Sequence, residues 1–371
     1  MNKFRVPISG QVTGKQEALN VAEVANSQHY GGGIFTKRFE KEFAAFNGKR
    51  YGVMVNSGSS AILLALSALE LPKGSRVVTC AVNFPTTVNA IIQLGHVPVF
   101  VDADPKTMNI KDFSDIVADA AIVAHTLGNP VDLPDVPYPI IEDCCDAVGT
   151  KINGKMVGHK GVMSCYSFYP AHHITTGEGG MVLTDDPKLK KVLESYRDWG
   201  RACWCEPGCD NTCGKRYDYD YDHKFTYDRI GYNLKATDFQ AAVGVAQMDR
   251  LRGFIERRKL NWKYLHDRLP NIAEVINIIE PTGEPSWFGF PFFMQERNEF
   301  AKYLDSKGIG NRPIMAGNLL RQPAYKGIEC EIRNGLEGAN LIHEHGLWVG
   351  VFPGITIEML DHVIEAFYDY F

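Results

Sequence analysis

Four of the nine cysteines in this chain, Cys203, Cys205, Cys209 and Cys213, fall within eleven residues, and two more, Cys144 and Cys145, are adjacent. In a reducing compartment such clustering points to metal or redox chemistry rather than disulfides. Cys80, Cys165 and Cys330 sit in or near apolar stretches and read as small buried side chains. Further along lies Ser167-Phe168-Tyr169-Pro170-Ala171-His172-His173, followed by Gly177-Glu178-Gly179-Gly180. Two histidines at a strand end can serve as bases, metal ligands or packed core residues, and the glycines permit close backbone approach. Asp143 closes the apolar run 139–142, where a carboxylate can face a ligand, for instance a protonated ring nitrogen. A turn-forming aspartate is the plainer alternative. Asn56-Ser57-Gly58-Ser59-Ser60 joins an apolar strand-like stretch to a helical one. Free amides and the helix dipole there can cup a phosphate, although serine capping alone accounts for the same residues.

Such groups need a scaffold, and hydrophobic periodicity predicts one. Strand-like stretches at 76–80, 97–101, 120–125, 139–142, 162–168 and 180–184 alternate with helical stretches such as 60–69 and 86–94. This is the pattern of βαβ units in a mostly parallel sheet, where ligands collect at the carboxyl ends of the strands. The stretch 237–266 reads as one or two helices with an apolar stripe. A length of 371 residues suggests two or three domains. The increase in glycine and proline over 283–291 suggests entry into a smaller domain, so the expected division is 1–250 and 251–371. A net charge of −5 without a long basic run argues against nucleic-acid binding. No apolar run reaches membrane-spanning length, and the first ten residues lack a signal-peptide core. The expectation is a soluble, cytoplasmic enzyme.

Taken in order, Ser57-Gly58-Ser59-Ser60-Ala61, Glu142-Asp143 with Ala147, and Ser167-Phe168 with His172 and Gly177-Glu178-Gly179-Gly180 resemble the DegT/DnrJ/EryC1/StrS family of sugar aminotransferases. Phe39-Glu40, Gly231-Tyr232-Asn233 and Thr237-Asp238-Phe239-Gln240-Ala241-Ala242 extend the resemblance from about Gly31 to the C-terminus. It implies an α/β fold of fold-type I, like aspartate aminotransferase, with a large mostly parallel-sheet domain and a smaller C-terminal α+β domain. It also implies a pyridoxal-type cofactor. Ser59, Ser60 and Ser167 would hold its phosphate, Phe84 would stack on its ring, and Asp143 would pair with the ring nitrogen. Asn233 would reach the phosphate of a partner subunit's cofactor, which makes a homodimer part of the expectation.

One position departs from the family. The aminotransferases carry lysine five residues after the Ser-Phe serine, and this chain has His172. Histidine cannot hold the cofactor covalently as lysine does, but it is a base near neutral pH. A histidine here resembles the 3-dehydratase branch, which uses pyridoxamine 5′-phosphate on nucleotide-linked 4-keto-6-deoxy sugars. Asp146 stands where the aminotransferases usually carry Gln or His, and reads as a support for the catalytic group. Gly317-Asn318-Leu319 with Gln322-Pro323 also looks like this branch and suggests sugar or nucleotide contacts.

The cysteines divide that branch further. Fifty-seven residues separate Cys145 from Cys203, one separates Cys203 from Cys205, and seven separate Cys205 from Cys213. This matches C-x57-C-x-C-x7-C, the ligand pattern of the members that carry a [2Fe-2S] cluster and act on a CDP-linked sugar. The resemblance then implies Cys145, Cys203, Cys205 and Cys213 as cluster ligands, and a flavin- and iron–sulfur-containing reductase as electron donor. Tyr217–Lys224, alternating Tyr with Asp, is either a solvated loop or the docking surface for that reductase. Four alternatives stay open: a local zinc site on Cys203, Cys205, Cys209 and Cys213, a cluster-free dehydratase, an aminotransferase with an atypical catalytic histidine, and a non-catalytic binding protein on the same scaffold.

Overall fold

Short runs rich in valine and isoleucine form the strands, and the runs between them, apolar at helical spacing, form the covering helices. The computed structural model describes residues 5–205, 209–269, 276–279 and 281–371. In chain order these form α1 (Lys15–Ser27), α2 (Ile34–Phe46), β1 (Tyr51–Val55), α3 (Gly58–Ala68), β2 (Arg76–Cys80), α4 (Pro85–Gln93) and β3 (Val97–Val101). Next come β4 (Ala120–Ala124), β5 (Ile140–Asp143), β6 (Lys151–Ile152), β7 (Lys155–Met156), β8 (Met163–Ser167), β9 (Gly180–Thr184), α5 (Pro187–Arg197) and α6 (Asp238–His266). The remainder is β10 (Ile276–Ile278), β11 (Gly289–Met294), α7 (Arg297–Ser306), β12 (Asn311–Pro313), β13 (Glu331–Arg333), α8 (Glu337–His345), β14 (Gly346–Gly350) and α9 (Ile357–Tyr370). Each of the six predicted strands forms within one residue of its expected limits.

The large sheet has the order β1-β9-β8-β5-β4-β2-β3-β13, and β9 alone runs against the others. Apart from the edge strand β13, its strands are largely buried on both faces, which is why they read as continuous apolar runs. Alternation sorts the side chains. Val53, Val55 and Val182 join the core beneath α3, whereas Met54, Met181 and Leu183 join the core beneath α2 and α6. A second, antiparallel sheet has the order β10-β11-β14-β12. The helix α6 runs unbroken through 29 residues, from packing against α1 and α2 to contacts with β11 and α9. Trp262 on α6 stacks on Trp287 with ring centroids 4.9 Å apart.

This topology brings the carboxyl ends of β1, β5 and β8 to one edge of the sheet. Gly180, the first residue of β9, lies between Val55 and Ser167 in register. A Cβ on Gly180 would meet the Ser57 carbonyl oxygen at 2.2 Å and the Gly58 nitrogen at 2.7 Å. Both obstacles are backbone, so they cannot rotate away. Gly180→Ala should therefore cost about 1–3 kcal/mol by overpacking. It should lower Tm by several degrees and weaken binding at the Asn56–Ser60 turn. A calorimetric scan with a cofactor titration measures both effects.

Candidate active site and cysteine centre

The turn after β1 caps α3 from its own side chains. Ser57 is the N-cap, and its Oγ accepts from the Ser60 amide at 3.0 Å. Ser60 Oγ donates to Asn56 Oδ1 at 2.6 Å. A Cβ on Gly58 would lie 2.6 Å from Ser167 Cβ and 3.2 Å from Cys145 Sγ. The helix terminus is thus pressed against the end of β8, with Ser59, Ser60 and Ser167 around free amides that favour an anion. Asn233 is exposed in the segment before α6, and the neighbouring Leu234 carbonyl accepts from the Asn56 amide at 2.9 Å.

Asp143 ends β5 beside this cup and is buried. Its Oδ1 accepts from the Cys145 amide at 3.1 Å, and Thr87 Oγ1 donates to Oδ2 at 3.3 Å. Burial pushes its carboxyl above the ordinary aspartate value, because the Cys145 hydrogen bonds and His172 do not offset the desolvation. Such a group is stabilised as a carboxylate by a cation brought to it. The preceding Glu142 is held differently. Burial would raise it too, but His125 and the amides of Gly161 and Gly158 outweigh that and keep it below the usual range. The Val131 amide donates to His125 Nδ1 at 3.0 Å, so His125 Nε2–H faces Glu142 Oε2 at 3.0 Å. This buried pair fixes the strand from which Asp143 projects. Phe84 is 54% exposed at the start of α4. Asn83 Oδ1 accepts from its amide and from Thr87 Oγ1, tying it to the Asp143 network.

His172 Nδ1 lies 3.3 Å from Asp146 Oδ1, within ion-pair reach but off line for a hydrogen bond. Its ring sits 5.3 Å from that of Phe288. The adjacent His173 is a packing residue. Its Nε2 meets the Ser286 carbonyl at 2.8 Å, and burial keeps it neutral, well below the ordinary histidine value. Sequence reasoning missed Arg258, a fully buried cation on α6. Its guanidinium donates to the carbonyls of Ala171 at 3.2 Å, His172 at 3.1 Å and Phe288 at 3.1 Å. Charge at an interior helical position was the only signal available for it. Together these residues suit a pyridine cofactor bearing a phosphate. They offer a buried carboxyl awaiting a cation, a half-exposed aromatic, and a helix terminus where glycine alone fits.

The cysteine loop is a separate centre. Cys203 and Cys213 Sγ atoms are 3.8 Å apart, the separation of two thiolates on one tetrahedral metal atom with bonds of about 2.3 Å. Cys205 joins them, and so does His223, which sequence reasoning did not select. Burial raises the Cys205 thiol. Hydrogen bonds from Thr212, the Cys213 amide and the neighbouring thiols outweigh that and lower it to about 6. Three thiols with an imidazole form a donor set suited to zinc or an iron–sulfur centre. The loop as folded does not bring every expected donor to this group, and the set Cys145, Cys203, Cys205 and Cys213 stays a proposal. Cys209 is exposed and outside the group, contrary to the four-cysteine zinc arrangement. Cys145 does not join the group either. Its Sγ lies 3.9 Å from the Cys165 carbonyl, beside Gly58 and Ser167 at the cofactor cup.

Fold and cup define a fold-type-I pyridoxal-phosphate enzyme. The chain belongs to the DegT/DnrJ/EryC1/StrS aminotransferase family, whose model matches residues 11–368. It is 45% identical to the lipopolysaccharide biosynthesis protein RfbH of Salmonella typhimurium over 99% of this chain and 92% of that protein. It is 41% identical to the dTDP-4-dehydro-2,6-dideoxy-D-glucose 3-dehydratase of Saccharopolyspora spinosa, over 96% of this chain and 85% of that one. Its fold matches Escherichia coli GDP-4-keto-6-deoxy-D-mannose-3-dehydratase with bound hydrated PLP, with a TM-score of 0.90 and 29% identity. That match covers 98% of this chain and 99% of the other.

Two outcomes follow from this geometry. Asp143→Asn removes the charge that a protonated ring nitrogen would meet. It should weaken cofactor binding by about 2 kcal/mol or more, roughly thirtyfold in Kd, in an absorbance titration. Arg258→Lys keeps the charge but loses the fork that spans several carbonyls. It should lower kcat about tenfold with KM nearly unchanged, because His172 is mispositioned while the cup is intact.

Proposed function

We propose that this chain removes the C3 hydroxyl of a nucleotide-linked 4-keto-6-deoxyhexose, with pyridoxamine 5′-phosphate held non-covalently. The observation that carries this reading is His172. It stands where the family's aminotransferases have lysine, beside Asp146 and on a backbone clamped by Arg258. When bound, the cofactor supplies an amine for the sugar's C4 ketone and a conjugated ring that takes up electrons. Ser59, Ser60 and Ser167 would hold its phosphate at the α3 terminus, Phe84 would stack against its ring, and Asp143 would keep the ring nitrogen protonated. With Nδ1 turned to Asp146, His172 would hold or move a proton at Nε2. Asn233 completes the phosphate site of a second copy, so the working unit is a homodimer. The division at about residue 250 then separates the cofactor-binding part from a smaller part that closes over the sugar.

The same reading gives the cysteine loop a [2Fe-2S] cluster, which when bound carries electrons singly. A reductase holding flavin and an iron–sulfur group supplies two electrons, and two protons complete the 4-keto-3,6-dideoxy sugar. We propose the CDP-linked sugar as substrate. The named relatives act on dTDP- and GDP-linked sugars, so all three nucleotides belong in the assay. The enzyme is assigned to the cytoplasm, where these substrates and the reductase would be found.

His172→Asn should lower the rate of hydroxyl loss roughly 10²- to 10⁴-fold while cofactor stoichiometry stays the same. Product mass and cofactor absorbance read the two separately. Sustained dehydration by the variant would overturn the assignment of His172 as base. Amino transfer with the C3 hydroxyl retained would overturn the reaction.

A further inference from the structure

We infer that Trp199 is a positioning residue that sets Asn233 for the cofactor phosphate of a second copy, which rests on the reading that Asn233 completes that phosphate site.

Asn233 is exposed, and among the described residues no hydrogen bond holds its side chain. Its place is set by its neighbours. The Tyr232 amide donates to the Tyr196 carbonyl at 2.7 Å, and the Trp199 amide donates to the Tyr232 carbonyl at 2.6 Å. The Leu234 amide donates to the Arg197 carbonyl at 3.1 Å. Asn233 itself pairs with Asp198 in an isolated bridge. The segment is thus sewn to the end of α5, at the turn that Trp199 makes.

That turn is strained. Trp199 has φ +64°, a left-handed conformation that a bulky residue seldom takes. Such a conformation persists where the surroundings over-determine it, and it concentrates at sites with a task. Packing over-determines it here. Gly200, at φ +87°, has no room for a Cβ against the Arg229 carbonyl, and Gly231 has none against the Gly200 nitrogen.

The strained turn places the Trp199 ring between the loop and the segment. Lys235 Nζ stands 3.3 Å from the ring centroid, and the Arg201 guanidinium carbon stands 4.9 Å from it. A lysine on a surface usually buries its stem and leaves its ammonium in water. Here the ammonium is the buried part, and no described residue accepts a hydrogen bond from it. Its partner is the face of Trp199, an attraction that strengthens as water is excluded. Lys235 lies two residues beyond Asn233, so this contact holds one side of Asn233 while the Tyr232 hydrogen bonds hold the other. Asn233 is therefore in place before a phosphate arrives, and less order has to be created on binding.

The test measures binding of pyridoxamine 5′-phosphate, and of pyridoxamine lacking the phosphate, to the full-length chain by fluorescence titration. The variants are Trp199→Ala, Trp199→Phe, Lys235→Met, Asn233→Ala and the double variant Trp199→Ala/Asn233→Ala. Trp199→Ala should raise the Kd of pyridoxamine 5′-phosphate about tenfold. It should leave the Kd of pyridoxamine unchanged, because only the phosphate meets Asn233. Trp199→Phe keeps an aromatic face for Lys235 and should restore most of the affinity, whereas Lys235→Met should lose it with the ring intact. The double variant should bind no more weakly than Asn233→Ala, since one residue acts through the other. Equal losses for the two ligands would show a merely structural role and overturn the inference. Additive losses in the double variant would overturn it too, as would unchanged affinity in Trp199→Ala where Asn233→Ala weakens binding. Unchanged affinity in Asn233→Ala would overturn the reading of Asn233 and the inference with it. Should Trp199→Ala fail to fold, Trp199→Phe and Lys235→Met carry the same comparison of the two ligands.

Discussion

The close approach of one turn to two strand ends organises this active site. The Ser57–Gly58 peptide lies against Gly180 on one side and against Ser167 and Cys145 on the other, with no room for a Cβ at Gly58 or Gly180. That contact brings the amino end of α3 to the carboxyl ends of β5 and β8. The capped turn and a buried carboxyl thereby become parts of one candidate site. The antiparallel strand β9 makes the contact possible, because its first residue inserts between Val55 and Ser167.

Around that contact the buried charges are divided by task. Glu142 and His125 satisfy each other and pin β5. Asp143, the next residue, is left short of positive charge and is stabilised as an anion only by a cation brought to it. Adjacent residues on one strand point to opposite faces, so one carboxylate can be structural while its neighbour meets the ligand. Arg258 plays the corresponding part for His172. It spends its hydrogen bonds on the carbonyls of Ala171, His172 and Phe288, which sets the backbone and leaves the imidazole free.

The sheet was legible because strands buried on both faces leave uninterrupted apolar runs, and six of them read within a residue of their limits. The strand–turn–helix at Asn56–Ser60 was legible because Gly and Ser between a strand and a helix cap the helix. Arg258 and His223 were not. Arg258 acts through carbonyls about ninety residues away in sequence, a relation that no spacing encodes. His223 stood inside an acidic, aromatic run that resembled a solvated loop. Its burial arises where Cys203, Cys205 and Cys213 come against it. Cys145, which the C-x57-C spacing pairs with the loop, lies just past the end of β5 beside Gly58.

The cysteine loop and the cup are also joined through the backbone. The Ala202 amide donates to the Thr226 carbonyl, which brings Cys203 and His223 to one end of the loop. The Trp199 amide donates to the Tyr232 carbonyl, and the Asn56 amide to that of Leu234. Residues 231–234, including Asn233, are thus strung between the loop and the cup. A metal held by Cys203, Cys205 and Cys213 would cross-link a loop whose other described ties are hydrogen bonds and surface ion pairs. Exposed ion pairs such as Arg216–Asp210 contribute little by themselves. A bound metal would therefore add order to the loop and, through it, to the segment that carries Asn233. Such a coupling would give a physical reason for a metal site between α5 and α6 rather than elsewhere on the surface.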